Sequence, residues 1–345
     1  MTGNKILFFC VGTGGHVLPV KYIIQDLLYK GISLEQIEII TDKRGFNYLQ
    51  NEDFNTHVVD IYRSEIGKIG YVLNILKIIR TLYQINKIID IKNTKIMFTT
   101  GSYIAPLAAY FSWRNKISLF VQEQNLYAGV GNKIASYFKC IVFTSYPNTK
   151  NLNKKNVKYA GPIINKDIKQ KKSEINNEIV IGVQGGSQGS EEINKLIYKY
   201  LKNNQLKKIR LIHLVGPGNY DKSKIFENYE QIEYINNMNE YYSKINVQIS
   251  RAGGGVLEAA TLKIPLLLVP YKIGTTSKHQ EMNANFLVKN GFAKLCNNYD
   301  SIENEFKEIE IVGFKWFEKF SKNNSIESGN RIITSNILNE FVNEI

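Results

Sequence analysis

Short apolar runs alternate with stretches of helical spacing along the whole chain, the pattern of strands and helices taken in turn. Lys5–Val11 reads as a strand, Gly12-Thr13-Gly14-Gly15-His16 follows at once, and from Val17 to Lys30 apolar residues recur at helical spacing with Pro19 in the first turn. Strands are expected at Ile37–Thr41 and Thr56–Ile61, a long helix over Ile66–Lys92, strands at Lys95–Thr99 and Ser118–Val121, a helix over Val130–Phe138 and a strand at Cys140–Thr144. Residues 161–178, which open on Gly-Pro and continue in Asn and Lys with few apolar positions, read as a linker. A second set then begins. Strand Ile179–Gln184 leads through Gly185-Gly186-Ser187-Gln188-Gly189-Ser190 into a helix from Glu191, with strands at Arg210–Val215, Ile232–Ile235 and Val247–Ser250. The stretch Ser250–Phe286 reads as strand end, glycine loop, helix, buried apolar strand, polar loop and helix. Alternation of this kind predicts parallel α/β sheets, here two: a domain over residues 1–160, a second over 179–327, and an amphipathic C-terminal helix at 328–345 free to pack back on the first. A chain of 345 residues exceeds what one core usually supports.

Composition narrows the class. Cys10, Cys140 and Cys296 are far apart, odd in number and without a CxxC pair, so neither a disulfide framework nor a zinc site is expected. The first segment lacks a signal-peptide core and no run approaches the length of a membrane span, so a soluble cytoplasmic protein is expected. Net charge is +13, and it is uneven: residues 1–160 hold 20 Lys/Arg against 10 Asp/Glu, residues 161–345 hold 24 against 21. A basic first half implies an anionic surface. No nucleic-acid motif accompanies it, and Lys68, Lys77, Arg80 and Lys87 are interleaved along the Ile66–Lys92 helix, whose apolar face carries Ile69, Val72, Leu73, Leu76, Ile79, Leu82 and Tyr83. That helix packs on a sheet, dips into an anionic membrane interface, or does each with a different face.

The chemistry-bearing residues sit at strand ends and glycine loops. Glycine before a helix lets backbone approach a ligand, and the helix start offers free N–H groups to an anion. Gly253-Gly254-Gly255 with Glu258 about one turn on fits a diphosphate and a ribose; equally, the glycines turn the chain and Glu258 favours a helix start. His16 stands at the mouth of the first loop, either a base or a histidine bonded to backbone. Tyr103, Glu123 and Asn125 follow the carboxyl ends of apolar strands, where open α/β sheets hold ligands; each serves equally well as a cap or loop bond.

Gly12-Thr13-Gly14-Gly15-His16, Glu123-Gln124-Asn125, Gly185-Gly186-Ser187-Gln188-Gly189, Arg251-Ala252-Gly253 with Glu258, and Gln280-x-x-Asn283-Ala284 occur in register, and together resemble the MurG family. The resemblance implies a GT-B fold: α/β, two Rossmann-like domains with parallel sheets and a ligand cleft between them. It implies an inverting transfer of GlcNAc from UDP-GlcNAc to undecaprenyl-pyrophosphoryl-muramyl-pentapeptide, on the cytoplasmic face of an anionic inner membrane, with no nucleic acid, no bound metal and no cofactor beyond the UDP-GlcNAc substrate. Carried over residue by residue, it assigns Ser187 and the amides near Gly253, Gly254 and Gly255 to the donor diphosphate, Ile235 to uracil, Glu258 to the ribose and Gln280 to the GlcNAc hydroxyls, with Gln188, Arg251 and Asn283 also on the donor side. It assigns Thr13, Gly14, Gly15, Tyr103 and Asn125 to the lipid-linked acceptor, and His16 or Glu123 to the base.

The chain departs from that family in places. Val11 stands where the family has a glycine, and Gln122 where it has a histidine. Gly161-Pro162-Ile163-Ile164-Asn165 replaces a Gly-Asn-Pro-x-Arg segment, removing a donor-contacting arginine. Two further readings stand beside the transferase: a related GT-B enzyme using another lipid-linked or diacylglycerol acceptor, and a non-catalytic sugar-nucleotide-binding membrane subunit. A UDP-GlcNAc epimerase shares the architecture but calls for more acidic and histidine residues near the sugar.

Overall fold

The computed structural model describes residues 4–60, 80–168, 178–235, 237–272, 274, 277–320 and 324–343. The chain forms two compact units, Met1–Ile163 with Ser328–Ile345, and Ile164–Glu327. Part of the segment read as a linker, residues 169–177, lies outside the described residues, as do residues 61–79 of the long expected helix.

Unit one is built on a parallel sheet in the order β3-β2-β1-β4-β5-β6-β7. Its strands are β1 (Lys5–Phe9), β2 (Ile37–Thr41), β3 (Asn55–Val58), β4 (Thr94–Thr99), β5 (Ser118–Glu123), β6 (Ile141–Thr144) and β7 (Val157–Tyr159). The central strands are continuous apolar runs because both of their faces are covered. Successive side chains point to opposite faces, so β1 serves two cores. Ile6 and Phe8 pack with Ile39 and Phe98, with α1 (Gly14–Tyr29) through Val20, Ile23 and Leu27, and with α11 (Asn330–Asn343) through Ile333, Ile337 and Phe341. Leu7 and Phe9 face the other way, onto Met97, Val121 and Ala108 of α4 (Ala105–Asn115), and onto Ile85 of α3, the helical residues 80–88. Of the expected Ile66–Lys92 helix, the described end thus turns Ile85 and Ile89 inward and leaves Tyr83 exposed, with Lys87 above its ring.

Unit two repeats the plan with a parallel sheet in the order β10-β9-β8-β11-β12-β13. The strands are β8 (Ile179–Gln184), β9 (Ile209–Leu214), β10 (Tyr229–Ile232), β11 (Val247–Ser250), β12 (Leu266–Leu268) and β13 (Ala293–Leu295). Ile181, Val183 and Ile249 pack beneath α6 (Glu191–Asn203) and α10 (Tyr299–Val312), where Phe306 and Trp316 fill the core.

Several expected boundaries move. The strand read at Ile232–Ile235 is β10, three residues earlier in its start, and Ile235 lies in the loop beyond it. As an edge strand with a single neighbour, β10 is half-exposed throughout and carries no apolar run to read. The helix read over Val130–Phe138 is α5 (Val130–Ala135), closed where the Ser136 hydroxyl donates to the Lys133 carbonyl. Gln122 and Glu123 belong to β5 rather than following it. All three cysteines are buried free thiols. Among the described residues no helix is long and apolar enough to cross a membrane.

In both sheets the strand order reverses at the first strand of the set, β1 between β2 and β4, β8 between β9 and β11. Ligands in open α/β sheets bind at such points, outside the carboxyl ends of the strands.

Candidate active site

In unit one the loop after β1 delivers the first group of residues. Gly12 has φ +93°, a left-handed conformation that disfavours any side chain, and its N–H donates to the Asp42 carboxylate at 2.8 Å. Thr13 and Gly15 are exposed at the start of α1, while Gly14 is buried against the Tyr48 ring. His16 is half-buried, its N–H donating to the Thr13 carbonyl at 2.9 Å. Its ring Nδ1 lies 3.0 Å from the Thr100 carbonyl, and the Thr100 hydroxyl donates back to the His16 carbonyl. A carbonyl only accepts, so Nδ1 carries the proton and the neutral ring keeps its lone pair on Nε2.

Glu123 has a different surrounding. It is 2% exposed at the end of β5. One carboxylate oxygen accepts from the Asn125 amide N–H at 2.8 Å and the Asn125 side chain at 3.1 Å; the other accepts from the Gly129 N–H at 3.0 Å and the Asn132 side chain at 2.9 Å. The loop 124–129 is therefore wrapped around this carboxylate, and Asn125 is one of its donors. Gln124 reaches the Gly15 carbonyl with its side-chain N–H, tying that loop to the first.

Tyr103 joins a cluster that the sequence reading does not contain. Its hydroxyl donates to Asp42 Oδ2 at 2.9 Å, while Asp42 Oδ1 accepts from the amides of Gly12 and Gly45, each at 2.8 Å. Burial by itself would raise Asp42, but those two amides, the Tyr103 hydroxyl and Arg44 outweigh it and hold the carboxyl below its ordinary range. The signal for it was Thr41-Asp42-Lys43 at the carboxyl end of β2, a polar turn beside the switch point.

In unit two, Gly185 and Gly189 make a turn that no larger residue fits. A Cβ on Gly185 would fall 2.2 Å from the Ser190 nitrogen, and one on Gly189 (φ +74°) 2.2 Å from the Val215 carbonyl oxygen. The turn leaves Ser187 partly exposed and Gln188 exposed, before Ser190 caps α6. The loop Gly253–Gly255, leading into α8 (Val256–Thr261), differs: a Cβ on Gly253 or Gly255 would meet nothing within 4 Å. The fold does not require glycine there, and space outside the loop is open.

Two residues grouped with the donor by sequence are turned into the scaffold. Arg251 is 5% exposed. Its guanidinium donates to Ser190 Oγ at 2.8 and 3.2 Å, to the Val269 carbonyl at 2.8 Å and to Glu192 at 2.5 Å, and it lies on the Tyr271 ring. Asn283 is fully buried, its side-chain N–H donating to the Ala252 carbonyl at 3.0 Å. Asn283 thus holds the residue before the glycine loop, and Arg251 ties the end of β11 to the start of α6. Gln280, on α9 (Ser277–Lys289), accepts from the Tyr271 N–H at 3.1 Å and stays partly exposed. Glu258, on α8, accepts from the Tyr242 hydroxyl at 3.2 Å. Burial pushes its carboxyl up to about 7, against the smaller opposing effect of that hydroxyl bond.

Comparison with known proteins follows the two units. Residues 6–144 match the glycosyltransferase family 28 N-terminal domain, and residues 180–312 the glycosyltransferase family 28 C-terminal domain. A relative from Clostridium novyi (strain NT) is 28% identical over 358 residues, covering 96% of this chain and 97% of the relative. It is named UDP-N-acetylglucosamine–N-acetylmuramyl-(pentapeptide) pyrophosphoryl-undecaprenol N-acetylglucosamine transferase. One of the enzymes so named in Bacillus thuringiensis (strain Al Hakam) is 28% identical over 309 residues, 85% of each chain. The crystal structure of Acinetobacter baumannii MurG superposes with a TM-score of 0.76 at 20% identity, covering 97% of this chain and 99% of that one.

Proposed function

We infer the reaction from one premise: the chain belongs to glycosyltransferase family 28. It is a UDP-GlcNAc-dependent glycosyltransferase that moves GlcNAc onto the muramyl hydroxyl of undecaprenyl-pyrophosphoryl-MurNAc-pentapeptide. The relatives from Clostridium novyi and Bacillus thuringiensis carry that reaction in their names. UDP-GlcNAc is a substrate, and the reading asks for no cofactor. The muramyl oxygen bonds to the anomeric carbon with inversion, its proton passes to a base, and the carbon–diphosphate bond breaks to release UDP.

The observation that carries the mechanism is the fixed tautomer of His16. With Nδ1 held by the Thr100 carbonyl, Nε2 has its lone pair available at the mouth of the glycine loop, as a general base requires. Glu123, the competing base, has both oxygens in use by four protein donors and serves better as the core of the acceptor loop. On the donor unit, the open space beyond Gly253 and Gly255 supports approach of a diphosphate, and Glu258 supports the ribose. Arg251 and Asn283 act behind them.

An anionic membrane surface fits the exposed face of unit one. Val130, Ile134 and Tyr137 form a stripe at helical spacing beginning on α5, with Lys133 among them, and Trp113 is exposed on α4, which packs against α5. Flotation with liposomes containing and lacking anionic lipid tests this, and retention undiminished by high salt would count against the electrostatic part.

UDP release from UDP-GlcNAc, with and without a lipid-linked muramyl-pentapeptide analogue, tests the reaction. Acceptor-dependent release falling by about 10²–10⁴ in His16→Ala is the expected result. Donor binding without acceptor-dependent release would sink the reading, and release on adding diacylglycerol instead would move it to the related acceptor class.

A further inference from the structure

We propose that Arg44 is the cation that holds the diphosphate of the lipid-linked acceptor, an inference that rests on the acceptor reading above. Arg44 lies on α2 (Lys43–Phe46), directly after β2 and next to the loop that follows β1. Its guanidinium stands over the first glycine loop: a Cβ on Gly12 would come 3.6 Å from Nη2. The loop itself, Val11 to His16, contains no lysine or arginine. Lys21, further along α1, is drawn into an ion pair with Glu52 at 2.5 Å, and Lys5 into one with Glu38 at 2.6 Å.

The guanidinium is aimed without being used up. Nε lies 3.4 Å from Asp42 Oδ2, and Nη2 donates to the Tyr103 hydroxyl over 3.4 Å, both long contacts. No group among the described residues takes Nη1, and the side chain is 44% exposed, enough for a ligand to reach it. Asp42, the anion beside it, faces inward, with three shorter bonds at 2.8–2.9 Å from Gly12, Gly45 and Tyr103. A carboxylate so occupied orients the arginine more than it neutralises it. A planar fork held over the bend of the glycine loop suits two adjacent phosphate oxygens, and the ordering cost of the side chain is met before the ligand arrives. The acceptor of the proposed reaction carries such a diphosphate. Tyr103 then acts as a positioning residue, through Asp42 and Arg44.

Steady-state kinetics of wild type, Arg44→Gln, Arg44→Lys and Tyr103→Phe test this, with a short-chain lipid-linked muramyl-pentapeptide analogue as acceptor and inorganic pyrophosphate as competitor. Arg44→Gln should raise the acceptor KM about tenfold or more, the loss of one charge-assisted contact, and weaken pyrophosphate inhibition by a similar factor. UDP-GlcNAc affinity should stay unchanged. Arg44→Lys keeps the charge without the fork and should fall between, as should Tyr103→Phe, which removes a tether only. An unchanged acceptor KM in Arg44→Gln, or a fall in kcat with KM intact, would overturn the proposal. Wild type that shows no acceptor-dependent UDP release would instead overturn the reaction assigned above, and this inference with it. Thermal melting of each variant separates misfolding from loss of contact, and a folded Arg44→Lys with a raised KM suffices if Arg44→Gln unfolds.

Discussion

Replacing Glu258 with Gln separates what this residue does for a ligand from what it does to the fold. In the folded chain burial penalises its charged form and pushes the carboxyl from an ordinary 4.5 up to about 7. Folded protein therefore binds more protons than unfolded protein between those two values, so the residue's contribution to stability is fully present below 4.5 and is lost as pH rises through 7. At 1.36 kcal/mol per pH unit the full difference is about 3 kcal/mol, a ceiling because Glu258 keeps some contact with solvent. Gln carries no such charge. At pH 5 Glu258→Gln should be the more stable by less than about 1 kcal/mol, and at pH 8 by up to about 3 kcal/mol. The chain has two tryptophans, Trp113 in unit one and Trp316 buried in unit two. Urea unfolding followed by Trp316 fluorescence in a Trp113→Phe background thus reads the unit that matters. UDP-GlcNAc binding should move the opposite way, weakening by roughly tenfold to a hundredfold as charged hydrogen bonds to the ribose are lost. Wild-type binding should also weaken as pH falls below 7, where the carboxyl takes up its proton. A Gln chain no more stable at pH 8 than wild type, or a stability difference that is flat from pH 5 to 8, would refute the burial reasoning.

Two further substitutions probe the loops. Glu123→Gln puts an amide donor against donors from Asn125, Gly129 and Asn132; unit one should lose about 2–3 kcal/mol in thermal melts, and the acceptor KM should rise while kcat at saturating acceptor holds within about threefold. A collapse of kcat as deep as that of His16→Ala would return Glu123 to the role of base. The glycines divide into two kinds. Gly189→Ala, strained at φ +74° and clashing with the Val215 carbonyl, should destabilise unit two by about 2 kcal/mol or more. Gly253→Ala meets no atom and should leave stability within about 0.5 kcal/mol while weakening UDP-GlcNAc binding; unaltered binding would mean that no ligand approaches that loop.

The central strands and glycine turns were legible in the sequence because each is fixed by a requirement that a single residue type reveals. A strand covered on both faces is apolar over its middle, as in Ile6–Phe9 and Ile179–Val183, and Gly185 and Gly189 stand where a Cβ would clash with the backbone. The edges were not. β7 and β10 have one neighbour each and mixed exposure, so they carry no run to recognise. Side-chain direction was also out of reach: Arg251 and Asn283 adjoin the glycine loop along the chain or in space, yet Arg251 turns inward to Ser190 and Val269, and Asn283 to the Ala252 carbonyl. Glu123 was left open between base and loop bond, since the choice depends on donors that arrive from Gly129 and Asn132. The Asp42, Arg44 and Tyr103 cluster joins residues some sixty positions apart, a closeness set by strand order and absent from any local pattern.

The return of α11 to unit one bears on the order in which the chain can mature during synthesis. Ile333, Ile337 and Phe341 complete the core against β1 and α1, and the Asn330 side chain donates to Asp26 at 2.9 Å across 304 positions of chain. The second unit, Ile164–Glu327, is one uninterrupted segment, so all of it has left the ribosome before the first unit receives its last helix. The earlier-made half therefore waits, its apolar face uncovered, while the later-made half already has everything it needs. A released chain that ends just before Asn330 would hold a complete second unit and a first unit with its apolar face unsealed, which gives a chaperone a reason to hold the N-terminal side until α11 arrives.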